Sequence, residues 1–253
     1  MTTQRSVREH VEVFHLTFLR VLASGADKAH YVVKGGTNLR FWFKSVRYSE
    51  DLDLDVTVTA RTTLKNKVDR IFEGAPLRAM LRAQRLEVRG VSSPKQTETT
   101  QRWKLSLGAE GHVSAFHTKI EFSRRGAAAG HAFEPVDPAL ARRYRLAAPL
   151  AHHYLAPSAV AQKIVALARR SETQARDVFD LHLLLTAAPG AVEAAPRGDL
   201  PRAIERAMGV SYDEYQGQVA AFLEQEHAAI YASRDAWNQM QSDVVSALEA
   251  LAS

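Results

Sequence analysis

KGGTNLRFWFKSVRYSEDLDLD, running from Lys34 to Asp55, sets a glycine pair and a hydroxyl about one short helix ahead of three alternating aspartates. Asp51, Asp53 and Asp55 alternate with Leu52, Leu54 and Val56, so on a β-strand the three carboxylates share one face. Unpaired anions in a row repel one another, and a divalent cation removes that repulsion. Hard oxygen donors suit Mg²⁺, which is usually held by one or two carboxylates together with substrate phosphates. Asp51 and Asp53, nearest the turn, are the better pair. Upstream, Tyr31-Val32-Val33 reads as a buried strand running into Gly35-Gly36. Glycine there lets backbone N–H groups approach phosphate oxygens, and a helix expected to start near Thr37 adds the positive end of its dipole. Thr37 either caps that helix or donates to a phosphate.

Each half of this stretch has a plainer account. Alternating Asp and Leu also describes a half-solvated strand, and Gly-Gly is a common turn. The two together, with Arg47 and Ser49 between them, favour phosphate and metal binding. A P-loop is excluded because no Gly-Lys-Ser/Thr follows the glycines, and the dinucleotide fingerprint lacks its third glycine.

The segment resembles the opening motif of the DNA polymerase β-like nucleotidyltransferases, and more narrowly the AbiEii/AbiGii-type toxins. Their pattern runs Gly-Gly-Ser/Thr, a short helix, then Arg-x-Ser/Thr-x-Asp-x-Asp. Gly35-Gly36-Thr37 and Arg47-Tyr48-Ser49-Glu50-Asp51-Leu52-Asp53 match it. A second family signature is matched by Lys163, Ala166, Leu167 and Arg170, then by Arg176, Asp177, Phe179, Asp180 and Leu181. The likeness spans residues 5 to about 190. It implies that Asp51 and Asp53 hold Mg²⁺ and that Gly35, Gly36 and Ser49 cradle the phosphates of a nucleoside triphosphate. Lys163 would neutralise the triphosphate, and Asp177 would orient Lys163 or Arg176 or touch the nucleotide. Arg47, Arg176 and Asp180 complete the nucleotide-binding candidates. A structural ion pair between two packed helices is the plainer account of Lys163 and Asp177, and Arg47 and Arg176 have the same alternative.

In Phe116-His117-Thr118-Lys119-Ile120-Glu121-Phe122 the apolar positions fall on one face and His117, Lys119 and Glu121 on the other. By resemblance Glu121 takes the place of a third carboxylate on a strand adjoining the aspartates, as auxiliary metal ligand or base. Otherwise it pairs with Lys119 or Arg124 at the surface. The family further implies an RNA acceptor, foremost the 3′ end of tRNA, with arrested translation and a separately encoded antitoxin as partner. Two other classes stay open: transfer to a small-molecule or protein hydroxyl, and a non-catalytic RNA- or antitoxin-binding module.

Composition agrees with an ordinary globular chain: 253 residues, 46% hydrophobic and 24% charged. No apolar run approaches the roughly 18 residues of a membrane span. The stretch MTTQRSVREHVEV lacks the apolar core of a signal peptide and reads as a helix start. Absence of cysteine excludes disulfides and thiolate zinc sites and fits a cytoplasmic protein. His152-His153 face different directions on either a strand or a helix, which argues against a shared metal. The net charge of +5 favours a polyanionic partner. If 77–84 is helical, Arg78, Arg82 and Arg85 form a basic face, either a solvated surface or an RNA-backbone contact.

Apolar spacing predicts a helix from Ser6 to Ala23 with Ser6 and Glu9 as a capping box. Strands are expected near 30–33 and 52–59 around a helix at 37–44, then helix over 61–83 broken at Gly74-Ala75-Pro76. Strands near 86–91, 101–107 and 113–123 follow, with turns at Ser92-Ser93-Pro94 and Gly108–Gly111. Beyond Pro149–Pro157 strand signals give way to alanine-rich helical pattern, with a loop at Gly190–Gly198 and helices at 199–208, 211–233 and 235–251. The fold expected is α+β: a mixed-sheet nucleotidyltransferase domain over 1–150, a helical domain over 151–253, and a site in the cleft between them.

Overall fold

Ser6 and Glu9 exchange side-chain and backbone hydrogen bonds at 3.2 and 2.7 Å, and this capping box opens α1 (Val7–Leu22). The computed structural model describes residues 5–25, 27–124 and 129–252, so Met1–Gln4, part of the stretch read as a helix start, lie outside it. Along the chain follow β1 (Tyr31–Lys34), α2 (Gly35–Trp42), β2 (Asp51–Val56), α3 (Arg61–Glu73), α4 (Ala75–Ala83), β3 (Leu86–Gln96), β4 (Thr100–Ala109) and β5 (Phe116–Ser123). Next come β6 (His131–Pro135), α5 (Pro138–Arg143), β7 (Leu150–Tyr154), α6 (Ala156–Arg169), α7 (Ala175–Ala187), α8 (Leu200–Met208), α9 (Tyr212–Gln218), α10 (Gln225–Tyr231) and α11 (Arg234–Ala252). No helix among the described residues is long and apolar enough to cross a membrane.

The chain divides into two units. One comprises the chain up to Trp42 and Ser49–His153, the other Phe43–Tyr48 and the chain from Tyr154 onward. In the first, seven strands form one mixed sheet in the order β3-β4-β5-β2-β1-β7-β6. β2 runs antiparallel to β1 and parallel to β5, and β1 runs parallel to β7. Leu52, Leu54, Trp103, Leu105, Ile120 and Phe122 bury one face of the central strands with Phe14 and Phe18 of α1, Leu64 and Phe72 of α3, and Leu77 and Leu81 of α4. Phe18 stacks on Phe72 at 5.5 Å. Alternation along β2 therefore sends leucine inward and leaves aspartate on the opposite face.

In the second unit α6, α7, α8 and α11 pack on one another around Ile164, Leu181, Leu184, Val244 and Leu248, all with no exposed surface. Trp237 of α11 stacks on Tyr215 of α9 at 4.5 Å.

Several elements differ from expectation. β3 continues through Ser92-Ser93-Pro94 instead of turning there, with a register shift between Ser92 and Lys95. An edge strand with a bulge is where a sheet accepts proline. The hairpin of β4 and β5 forms as read, antiparallel from Thr100↔Ser123 to Leu107↔Phe116. β6, α5 and β7 are additions; β7 is short and pairs inside the sheet, so its sequence shows no alternation. On β7, His152 and His153 do diverge: His153 stacks on Trp42 at 4.3 Å, while His152 meets the ring of His131 at 5.3 Å. The helix expected over 211–233 is broken into α9, a 3₁₀ turn and α10. There the backbone pairs elsewhere: Tyr48 N–H donates to Phe222 O and Glu224 N–H to Val46 O, both at 2.9 Å.

Candidate active site

Parallel pairing of β2 and β5 sets Asp53 beside Glu121 and Asp51 beside Lys119, while β1 sets Lys34 beside Asp53. The expected acidic face exists, and cations have been placed among the acids. Lys119 Nζ lies 2.8 Å from Asp51 Oδ2, Arg102 2.6 Å from Glu121 Oε2, and Lys34 Nζ 2.5 Å from Asp55 Oδ1. The surface partner of Glu121 is thus Arg102 on β4, neither Lys119 nor Arg124. Asp53 has no ion-pair partner among the described residues. Burial pushes its carboxyl up to about 6, with the charges of Asp51 and Glu121 adding to the rise and Lys119 and Lys34 opposing it.

The glycine turn serves Asp53 directly. α2 begins at Gly35, two residues before the expected start at Thr37, and Gly35 has φ of +66°. A Cβ added there would stand 3.3 Å from Asp53 Oδ2, so glycine supplies both the left-handed backbone and the room for the carboxylate. Gly36 occupies the next helical position. Thr37 is buried, and its hydroxyl donates to the Asp51 carbonyl at 2.5 Å; Ser49 Oγ donates to the same carbonyl at 3.0 Å. Both hydroxyls hold the entry of β2, a use that spacing alone did not suggest.

A further clasp went unread in the sequence. Thr118 Oγ1 donates to the Glu50 carbonyl at 2.6 Å and therefore accepts from His15 Nε2 at 2.8 Å. His15 is fully buried, and desolvation pushes its pKa down to about 3. A neutral imidazole on α1 thus anchors the residue just before Asp51. No motif announces it, because a histidine on the buried face of a helix is an unremarkable feature of sequence.

The second signature assembles within the helical unit. Lys163 Nζ of α6 contacts Asp177 Oδ1 at 2.8 Å and Asp180 Oδ2 at 2.5 Å, both on α7. Arg47 Nη2 reaches Asp180 at 3.2 Å, and Arg170 Nε reaches Asp177 Oδ2 at 3.2 Å. The two aspartates have no exposed surface. Burial raises the carboxyl of Asp180, but Arg47 and Lys163 outweigh that and hold it below its ordinary value. The ion pair anticipated as the plainer account of Lys163 and Asp177 is real. Three cations against two carboxylates nevertheless leave the cluster net positive. Asp177 orients Lys163 and Arg170; Arg176 makes no ion pair among the described residues.

The donor set of the first unit fits a hard divalent cation. Asp51 and Asp53 offer carboxylate oxygens from one strand face, and Glu121 offers a third from the neighbouring strand. Lys119 and Arg102 compensate Asp51 and Glu121 here, so the three acids do not converge. Among the described residues, three ligand-type atoms within 4.8 Å of one another occur at Glu224, Glu226 and His227. Those belong to the helical unit, where His227 Nδ1 lies 3.2 Å from Glu224 Oε2.

Comparison with known proteins bears on the fold and on the family. JHP933 from Helicobacter pylori aligns with a TM-score of 0.59 at 17% identity, covering 98% of this chain and 96% of that one. A candidate nucleotidyltransferase from the same organism aligns with a TM-score of 0.63 at 18% identity, covering 98% and 99%. MenT4, a nucleotidyltransferase toxin from Mycobacterium tuberculosis H37Rv, aligns with a TM-score of 0.59 at 16% identity, covering 96% and 86%. At such identities these likenesses bear on the fold, which is α+β with a mixed sheet. No curated protein matches the sequence. The model of the family described as "Nucleotidyl transferase AbiEii toxin, Type IV TA system" matches residues 17–252, nearly the whole chain. This chain therefore belongs to the AbiEii family of nucleotidyltransferase toxins from type IV toxin–antitoxin systems.

Proposed function

We propose that this nucleotidyltransferase moves a nucleoside monophosphate from a nucleoside triphosphate onto RNA, foremost the 3′ end of tRNA, and so arrests translation in the cytoplasm until its antitoxin intervenes. The observation that carries the reading is Asp51 and Asp53 on one strand face, with Gly35 opening its backbone beside Asp53 and Glu121 in register on β5.

Asp51 and Asp53 would hold Mg²⁺, with Glu121 as the auxiliary group. The metal supplies charge stabilisation to the in-line displacement at the α-phosphate and to the departing pyrophosphate. The chain's own residues do the positioning. Gly35 and Gly36 give phosphate oxygens access to backbone N–H groups, while Thr37, Ser49 and Thr118 keep the start of β2 from shifting. Lys163, with Arg47 and Arg170, is the candidate source of positive charge for the triphosphate, oriented by Asp177 and Asp180. Arg176 remains a candidate nucleotide contact.

The test is incubation of purified protein with Mg²⁺, total RNA and each labelled triphosphate in turn, followed by sizing of the product. Label in the tRNA band that disappears with Asp51→Ala is expected. Label that survives Asp51→Ala removes the metal assignment. Label in a small molecule or in protein moves the acceptor to the other class. No labelling, together with no nucleotide-dependent stabilisation, leaves a binding module.

A further inference from the structure

The solvent face of β3, β4 and β5 carries a charge pattern that folding alone does not account for. Lys104 of β4 stands directly opposite Lys119 of β5, and Lys95 of β3 directly opposite Arg102 of β4. Like charges directly opposite one another destabilise a sheet, and this face has two such pairs side by side. Lys95 and Lys104 are exposed, and neither has an acidic partner among the described residues. The helices α1, α3 and α4 cover the other face, against Trp103, Leu105 and Ile120.

The pattern begins at the aspartates. Lys119 is held by Asp51 and Arg102 by Glu121. When those carboxylates turn to a divalent cation, both side chains lose their partners and join Lys95 and Lys104 on an open basic face. From β2 to β3 the face spans three strand spacings of about 4.8 Å, roughly 14 Å in all. That is too long for one triphosphate held at Asp51 and Asp53, and it suits a strand of a few nucleotides. Around Lys95 and Lys104 its exposed positions are Ser92 and His117; the exposed acid Glu87, at the far end of β3, is paired with Arg89 at 2.9 Å, and there is no Phe, Tyr or Trp to stack bases. Contact with phosphates, indifferent to sequence, is what such a surface offers.

We infer that this face, from Lys119 and Arg102 through Lys104 to Lys95, is the bed for the phosphate backbone of the acceptor's single-stranded 3′ end. The inference rests on the proposed reading that the acceptor is RNA, and it adds where that strand lies and how it is held.

The experiment is fluorescence anisotropy of the full chain with a short labelled oligoribonucleotide whose 3′-hydroxyl is blocked, so that binding is read without turnover. Lys104→Ala is expected to weaken binding about fivefold and to lower the slope of log affinity against log salt by about 0.7, the counterion share of one single-strand phosphate contact. Lys95→Glu combined with Lys104→Glu is expected to weaken it by about a hundredfold. Arg82→Ala, on α4 across the sheet, is the control and should bind as the parent does. Mg²⁺ at fixed ionic strength should tighten binding, because it releases Lys119 and Arg102. Unchanged affinity and slope for the Lys104 variants, or an equal loss with Arg82→Ala, overturns the bed; no tightening by Mg²⁺ overturns the exchange. Stabilisation by nucleoside triphosphate and Mg²⁺ must survive Lys104→Ala, and its loss would place Lys104 in the nucleotide site instead. Transfer to RNA with unaltered Lys104 variants defeats the bed alone. Weakened oligonucleotide binding in a protein that transfers nothing to RNA defeats the acceptor reading alone.

Discussion

His15 is ionisable yet fully buried, so its protonation and the folded state compete. Its folded pKa of about 3 lies below the unfolded value of 6.5, so the unfolded chain takes up the proton first. The contribution is complete above pH 6.5 and falls away between 6.5 and 3, by about 1.4 kcal/mol for each pH unit. Urea unfolding at pH 7.5 and 5.5 should show that loss in the parent and less of it in His15→Gln. Equal pH dependence in both would mean that the imidazole is not held neutral. Gly35 gives a second prediction. Alanine there must adopt φ of +66° and press on Asp53 Oδ2, so Gly35→Ala should cost about 1–2 kcal/mol and reduce transfer activity more than that loss explains. Denaturant titration and initial rates measured on the same preparation separate the two effects. Neither role stands out in the bare chain equally: a Gly-Gly before a helix draws attention, whereas His15 is one of ten histidines. Only its contact with Thr118, which lies far along the chain, gives it meaning.

Among the elements, α6 and α7 are held together by buried charge as well as by leucines. Removing Lys163 leaves Asp177 and Asp180 facing each other without their shared cation, and breaking such a pair costs about 3–5 kcal/mol. Lys163→Met should therefore lower the denaturation midpoint, and adding Asp177→Asn should recover part of the loss. A single substitution without effect on stability would show that the pair is not structural. If the stability of the double variant is restored while transfer stays absent, Lys163 and Asp177 together have a role in chemistry beyond holding the helices. The spacing of Asp177 and Asp180 on one helix side was legible, as were α1, the helix break at Gly74 and the hairpin of β4 and β5. These are patterns of period 3.6 or 2, or turn residues, and they act over a few positions. β3 passing through Pro94, the insertion of β7 next to β1 and the breakage near Phe222 were not legible. Each depends on which distant strand or segment offers its backbone.

For the whole molecule, ligand binding should register as stability. With a triphosphate at about 100 times its dissociation constant in the presence of Mg²⁺, linkage predicts about 2.7 kcal/mol of stabilisation, or a melting point about 5–10 °C higher. Differential scanning fluorimetry with and without Mg²⁺ checks it, and an equal shift without metal would count against Asp51 and Asp53 as the anchor. Local order along the chain was enough to determine that Asp51, Asp53 and Asp55 share a face, that Glu121 shares one with Lys119, and that Asp177 and Asp180 lie on one side of a helix. Alternation and helical periodicity require nothing beyond near neighbours. Tertiary structure alone decided that Lys119 and Arg102 guard those acids, that Arg47 leaves the aspartate motif for Asp180, and that Lys104 meets Lys119 across β4 and β5. Strand register and chain reversal come from long-range packing, and no window of sequence contains both partners.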